Sequence, residues 1–169
     1  MITEFKDQYK FLSNYAPSSI LYKGHRYRNA EAAFHAQKCP GREEEFENLE
    51  PNQAKSLGRT VPLRSDWEEI KLKEMESILK AKFRNPTLRK KLLDTGNQEL
   101  VEGNHWHDDY WGRCTSNGQN NLGKLLMKLR ANYQAKEEKK EQKKLRDIQK
   151  EKKEQDIRKE RSAKSSMKE

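Results

Sequence analysis

The distribution of large apolar residues limits what this chain can fold into. From residue 134 onward the chain holds 14 Lys or Arg against 9 Asp or Glu. The large apolar residues of that segment are Leu145, Ile148, Ile157 and Met167. Such a segment buries too little apolar surface to form a core, and its interleaved charges are typical of a solvated helix or a disordered tail. We therefore predict one folded domain over residues 1–133 and a charged tail over residues 134–169.

Most of the folded part shows helical periodicity. After a helix that starts at Asn29, the sequence predicts two short helices around Pro51, a longer one opened by a capping box at Ser65, and one that starts at Asn85. A final helix has its apolar face at Leu122, Leu125, Leu126, Leu129 and Tyr133. The fold class is therefore mainly α, a compact multihelical domain.

Short extended segments complete the prediction. Ile20 to Tyr22 and His25 to Tyr27 flank a Lys-Gly turn, which predicts a small β-hairpin near the N-terminus. Residues 99–102 are predicted as one further strand. Cys39 and Cys114 have no metal-ligand spacing and are interpreted as free thiols, so we expect neither a metal nor another cofactor.

The chain has neither an apolar run of ~20 residues nor the apolar core of a signal peptide. The sequence therefore predicts a cytoplasmic protein that does not bind membranes, and it leaves the oligomeric state open. The formal net charge of +9 raises the possibility of nucleic-acid binding through the tail. However, the tail interleaves acids with its bases and has few aromatic side chains to stack on nucleobases.

The stretch from Asn29 to Lys38 places ionisable groups in a run that otherwise resembles a buried helix. Asn29 can cap the helix, and the alanines that follow are strong helix formers. Glu31 and Lys38 are seven residues apart and lie on nearly the same face. In the simpler interpretation, each of these two side chains only interacts favourably with the helix dipole. Buried together, they would instead have the coupled, shifted pKa values that are common among catalytic groups.

Two loops hold further candidate residues. Ser13 and Asn14 pair small hydrogen-bonding side chains with apolar neighbours, which also fits an ordinary anchored loop. The loop from Gly103 to Gly112 contains two His, two Asp, two Trp and one Tyr, which is poor core material and suits a binding site. The Gly- and Asn-rich turn before the last helix could present backbone N–H groups to an anion such as phosphate.

Five ordered motifs together resemble the YbiA-like, or NADAR, family. In order they are residues 11–15 (Phe-Leu-Ser-Asn-Tyr), residues 29–38, residues 100–102 (Leu-Val-Glu), residues 108–112 (Asp-Asp-Tyr-Trp-Gly) and residues 121–127 (Asn-Leu-Gly-Lys-Leu-Leu-Met). The resemblance covers roughly residues 5–133. It implies a mostly helical domain that cleaves N-glycosidic bonds of phosphorylated ribosyl compounds.

The resemblance also implies a set of site residues. It makes Glu31, Lys38 and Asp108 the catalytic candidates, with Glu31 and Asp108 dividing acid and base roles. Lys38 could attack C1 of the ribose and form a Schiff base, and attack by water is the open alternative. The substrate-binding candidates are Ser13, Asn14, Trp67, Trp111, Gly112 and Asn121. The two Trp would stack on the heterocycle, although core packing is the alternative for Trp67, and the helix start at Asn121 would bind phosphate.

The resemblance implies two substrate classes. The first is the early ribosylamino-pyrimidine intermediates of riboflavin synthesis, cleaved to free base and ribose 5-phosphate. The second is ADP-ribose attached to guanine in nucleic acid. A binding module for ADP-ribose or a related nucleotide is a further possibility, because it would use the same aromatic and anion sites without needing Glu31. We therefore expect a small phosphorylated ribosyl substrate, with ADP-ribosylated nucleic acid as the alternative partner.

Overall fold

The computed structural model describes residues 1–168 and divides into two units, Met1–Arg130 and Ala131–Glu169. The domain boundary after residue 133 stays a prediction. The elements are β1 (Ile20–Tyr22), β2 (His25–Tyr27), α1 (Ala30–Ala36), α2 (Pro51–Gly58), α3 (Trp67–Lys82), α4 (Pro86–Asp94) and α5 (Asn121–Ser166), with 3-10 helices at Asp7–Leu12 and Glu43–Phe46. The predicted fold class, mainly α with a small β element near the N-terminus, is confirmed.

The β-hairpin has the predicted position and turn. β1 and β2 pair antiparallel, with Ile20 opposite Tyr27 and Tyr22 opposite His25. Lys23 and Gly24 both have positive φ, at 48° and 83°, as the two-residue turns that match strand twist require.

Helix α1 forms around its N-cap. The side-chain oxygen of Asn29 accepts from the backbone N–H of Ala32 at 2.7 Å, and its amide group donates to the carbonyl of Leu49. Every residue of α1 except Glu31 is buried, because α2, α3, the hairpin and the Glu43–Phe46 helix all pack against it. The chain continues past α1 in a tighter turn, where the N–H of Lys38 donates to the carbonyl of His35. A buried helix therefore delivers Glu31 and Lys38 to its accessible ends.

Two local predictions are wrong. α3 begins at Trp67 with Asp66 at the N-cap position, so Ser65 does not cap it. The Asp66 carboxylate instead binds the Arg64 guanidinium at 2.6 Å. The segment 99–102 is extended but is not a strand, because Leu100 forms only an isolated bridge with Ile2 within the described residues.

The core of the first unit draws buried side chains from both 3-10 helices, β1, α3, α4, the segment around Leu100 and the start of α5. Each large apolar side chain buried there contributes about 1.5–3 kcal/mol relative to exposure. The fully buried members include Leu12, Ile20, Phe46, Met75, Ile78, Leu79, Phe83, Leu92, Leu100 and Leu122.

In the second unit, all residues from 135 to 168 are exposed, and α5 continues through Ser166. Leu145 and Ile148 are about half exposed, at 51% and 48%. Of the two forms predicted for the tail, a solvated helix is the one observed. None of the helices in the described range is long and apolar enough to cross a membrane.

Candidate active site

Glu31 is the central carboxylate of the candidate site. Its Oε1 atom lies 2.8 Å from Nε2 of His35, one helical turn later, and only 14% of its side chain is exposed. Because a carboxylate oxygen accepts, Nε2 carries the hydrogen of this bond. Nδ1 of His35 is buried against α2 at Gly58, where a Cβ atom would lie only 2.4 Å away. His35 therefore fixes one oxygen of Glu31 and leaves the other for a ligand.

Lys38 lies near Glu31 without forming an ion pair with it. Its Nζ atom is 5.7 Å from the ring centroid of Trp67. Burial lowers the pKa of the Lys38 amine, whereas the charge of Glu31 acts in the opposite sense. A larger share of this amine is consequently neutral than for an exposed lysine, and a neutral amine can act as a nucleophile.

Glu102 is a site residue that the sequence reasoning did not select. It follows buried Leu100 and Val101, and its Oε2 atom is buried without a hydrogen-bond partner in the described part of the chain. Burial, together with the negative charges of Asp108 and Glu31, raises the pKa of its carboxyl to about 8. Glu102 is therefore a largely neutral acid at pH 7. The available signal was the Leu-Val-Glu motif of residues 100–102, in which the glutamate directly follows two apolar residues.

Asp108 shapes the loop that carries Trp111. Its Oδ1 atom accepts from the backbone N–H of Tyr110 at 3.1 Å and of Trp111 at 2.8 Å. The Asn104 side chain holds the Asp108 backbone on both sides, at 3.1 Å and 2.8 Å. The structure thus places Asp108 beside Glu102, with one carboxylate oxygen committed to the turn. Its role as a proton carrier stays a prediction.

Both candidate tryptophans contact the same phenylalanine of α1. The ring of Phe34 lies 5.0 Å from that of Trp67 and 5.3 Å from that of Trp111. Trp67 is only 5% exposed, so it packs mainly in the core, whereas Trp111 is partly exposed. Trp111 offers more ring surface to a ligand, and stacking by either residue stays a prediction.

The loop with Ser13 and Asn14 abuts the start of α1. The backbone N–H of Glu31 donates to the Asn14 carbonyl at 3.1 Å. Nζ of Lys82, which is 2% exposed, donates to the Ser13 carbonyl at 2.9 Å, and burial lowers the pKa of this lysine to about 7. The Oδ1 atom of Asn14 is buried and has no partner among residues 1–168. This loop is therefore anchored from both sides next to Glu31.

The first backbone N–H groups of α5 already form hydrogen bonds within the protein. The backbone N–H groups of Asn121 and Leu122 donate to the carbonyls of Tyr110 and Trp111, at 3.2 Å and 3.0 Å. Donors that already bind carbonyls are not available to a phosphate. Binding of phosphate at Asn121 stays a prediction, and these hydrogen bonds do not favour it.

Two basic residues of α2 and its C-cap, rather than the start of α5, supply positive charge near the candidate site. Lys55 and Arg59 are four residues apart on α2 and its C-cap, hence on one face. Their charges lower the pKa of Lys38, and that of Arg59 also acts on the hydroxyl of Tyr15. Neither side chain forms an ion pair within residues 1–168. Two cations are thus available near Glu31.

A cavity of about 750 Å³ opens between the hairpin and the start of α2. Tyr15 and Asn29 line it, together with Arg26 and Arg28. Burial and the charge of Glu31 raise the pKa of Tyr15, so its hydroxyl stays protonated. Tyr15 therefore lines this cavity and is also close enough to Glu31 for the carboxylate charge to act on it.

The arrangement defines a class of chemistry. The carboxyl group of Glu102, whose pKa is raised, lies with the Glu31 carboxylate and the Lys38 amine, whose pKa is lowered, and these groups suit acid–base or covalent cleavage of a glycosyl bond. Within residues 1–168, no group of three or more His, Cys, Asp or Glu is placed to hold a metal ion. The fold and the site together are those expected of a helical glycosidase.

Comparison with known proteins identifies the family. The NADAR domain profile matches residues 2–134. N-glycosidase YbiA of Escherichia coli K12 is 39% identical over 131 residues, covering 73% of this chain and 81% of that protein. The NMR structure of E. coli YbiA superposes with a TM-score of 0.71 at 35% identity, covering 81% of this chain and 87% of that one. The chain belongs to the NADAR family, as the motifs predicted, and its enzyme class is the N-glycosidases, hydrolases of N-glycosyl bonds.

One relative carries a pathway name. A riboflavin biosynthesis protein of Vibrio vulnificus is 33% identical over 135 residues, which cover 76% of this chain. The matched region is 36% of that longer protein. This name belongs to the relative and bears on the substrate only as a proposal.

Proposed function

We propose that this N-glycosidase hydrolyses the C1–N bond of a phosphorylated ribosyl compound, of the class of the ribosylamino-pyrimidine intermediates of riboflavin synthesis. The observation that carries the proposal is the grouping of Lys38 and Glu102 around Glu31 of the buried helix α1, close enough for its charge to act on both. The riboflavin name of the Vibrio relative supports the choice of base.

Cleavage of the C1–N bond requires stabilisation of positive charge on the sugar and a proton for the departing base. As the C1–N bond breaks, positive charge develops on the ribose ring, and a carboxylate held at Glu31 stabilises it. The bonding electron pair leaves with the nitrogen of the base, which takes up a proton. Water then adds its oxygen to C1, so that one water is consumed and the products are free base and ribose 5-phosphate.

Lys38 provides a covalent variant of the same reaction. Its neutral amine would attack C1, displace the base and form an imine with the opened sugar. Water would then add to the imine carbon and release the sugar, which returns the amine. The lowered pKa of Lys38 favours this route over that of an ordinary exposed lysine.

We expect borohydride to trap a sugar adduct on Lys38 during turnover, because reduction converts the imine to a stable amine. Peptide mass spectrometry would locate the adduct, and Lys38→Ala should show none. Lys90→Met, an exposed lysine of α4 that pairs with Asp94, is the control and should be trapped like the native chain. Active turnover with no adduct would make water the nucleophile and Lys38 a phosphate or hydroxyl ligand.

The phosphate of the substrate is assigned to Lys55 and Arg59. We expect Lys55→Met with Arg59→Met to raise KM for the phosphorylated substrate by roughly 10- to 100-fold, because charge-assisted hydrogen bonds to phosphate are lost. The unphosphorylated riboside should show little change, and so should the Lys90→Met control. An unchanged KM for the phosphorylated substrate would remove these two residues from the phosphate site.

The proposed function itself is tested by product analysis. Purified chain would be incubated with the ribosylamino-pyrimidine 5-phosphate and, separately, with an oligonucleotide carrying ADP-ribose on guanine. Released base would be quantified by mass spectrometry. We expect turnover of the metabolite. Turnover of the oligonucleotide alone would transfer the assignment to the second substrate class, and ligand binding without turnover of either would indicate a binding module.

A further inference from the structure

We propose that Glu102 is the general acid that protonates the departing base, an assignment that rests on the proposed function. Oε2 of Glu102 is a buried oxygen for which no atom in the described part of the chain has hydrogen-bond geometry, although the Asn104 amide is near enough to the carboxyl to act against its raised pKa. A buried polar atom without a hydrogen-bond partner destabilises the folded protein. We therefore expect a bound ligand to supply the missing partner. A leaving nitrogen next to Oε2 would supply the missing partner.

The backbone around Glu102 is held rigidly for such a role. Its N–H donates to the side-chain oxygen of Asn120 at 3.0 Å, and its carbonyl accepts from the N–H of Arg113 at 2.9 Å. The same Asn120 side chain donates to the carbonyl of Leu100 at 2.9 Å and is 1% exposed. The Glu102 backbone is thus fixed by a residue 18 positions away, which suits a proton donor whose geometry must be precise.

Gly112 makes room for the carboxyl group. A Cβ atom at this position would lie 1.9 Å from Oε2 and 2.2 Å from the carbonyl oxygen of Glu102. The next residue toward the N-terminus is Trp111, whose ring contacts Phe34 of α1. The acid, the partly exposed aromatic ring and the helix with Glu31 are therefore neighbours.

The charged groups that face Glu102 come from four parts of the fold. Glu31 of α1 and Asp108 of its own loop favour the protonated form of Glu102, and Lys55 of α2 acts in the opposite sense. Tyr15 lies in the loop before β1, and the charge of Glu102 adds to burial and the charge of Glu31 in raising the pKa of its hydroxyl. In contrast, one oxygen of Asp108 is bound to two N–H groups. Glu102 is therefore the better proton donor of the two carboxyl groups.

The proton balance is simple. The proton on Oε2 passes to the nitrogen of the base as the C1–N electron pair moves there, which leaves Glu102 ionised. Glu102 then regains a proton from the water that adds to C1 or, in the covalent route, to the imine carbon. Because the pKa of Glu102 is about 8, activity should be present below pH 8 and should fall as the pH rises through that value.

The test compares two leaving groups. With the ribosylamino-pyrimidine, Glu102→Gln should lower kcat by about 10²- to 10⁴-fold and remove the alkaline fall. With 4-nitrophenyl ribose 5-phosphate, whose leaving group needs no proton, the loss should be small. Glu99→Gln, an exposed carboxylate three residues earlier, is the matched control and should behave like the native chain. Equal losses on both substrates, or an unchanged alkaline fall with the pyrimidine, would overturn the assignment.

Two further readouts separate this inference from the proposed function. If Glu102→Gln fails to fold, the native chain decides, because its alkaline fall should vanish with the nitrophenyl substrate and persist with the pyrimidine; a fall with both overturns the assignment. Native Glu102 should also make the free energy of unfolding decrease as the pH rises from about 4.5 to about 8, since only the folded state holds the proton there. If the native chain releases no base from either substrate, the proposed function fails.

Discussion

Replacing Glu31 by Gln is expected to lower base release by about 10²- to 10⁴-fold while the fold and ligand binding are retained. Gln keeps the shape of the side chain and can still bond to His35. It removes the negative charge that would stabilise the cationic sugar or activate water, so its effect should appear in kcat. Steady-state release of base, measured by mass spectrometry, gives the result.

The control for this prediction is Glu69→Gln, which changes a glutamate in the first turn of α3 and leaves the site untouched. Its rate and unfolding midpoint should match those of the native chain. Both variants should unfold at nearly the same urea concentration. Native turnover by Glu31→Gln would remove Glu31 from the site.

Replacing Gly112 by Ala should both destabilise the protein and inactivate it. The added Cβ atom would collide with the backbone carbonyl of Glu102, which cannot move aside as a side chain can. Overpacking of this kind costs about 1–3 kcal/mol. We expect a lower free energy of unfolding in urea and loss of base release, because the backbone shift displaces the Glu102 carboxyl.

Ser116→Ala is the control for Gly112→Ala, since Ser116 is an exposed residue four positions later, in the segment that leads to α5. It should keep both stability and activity. Native stability in Gly112→Ala would mean that the loop moves at little cost, which would weaken the proposed rigid placement of Glu102.

These two variants probe different parts of one arrangement. Glu31 comes from a helix that is specified locally, by its Asn29 cap and its alanines. Glu102 and Gly112 belong to an irregular segment whose position depends on Asn120 at the start of α5. Loss of activity without loss of stability is therefore expected at Glu31, and both losses together are expected at Gly112.

Sequence reasoning succeeded where the determinants are close along the chain. The capped helix after Asn29, the Lys-Gly turn of the hairpin and the helix that starts at Asn85 all rest on contacts within a few residues. The family also followed from motifs alone. The cap predicted at Ser65 was wrong because α3 begins at Trp67 and Asp66 takes the N-cap position, and a pattern of residue types does not decide which of two adjacent capping residues that is.

The sequence by itself determined most of the helices and the exposure of the charged tail, and it predicted two of the groups of the candidate site, Glu31 and Lys38. Only the tertiary structure gave Glu102 the raised pKa on which its proposed role rests, because that shift arises from burial and from charges on separate segments. The tertiary structure also decided where Lys55 and Arg59 lie. Their helix packs closely against His35 because Gly58 has no side chain there. The physical reason is that capping and periodicity act over one or two turns, whereas desolvation and charge coupling depend on which distant segments pack together.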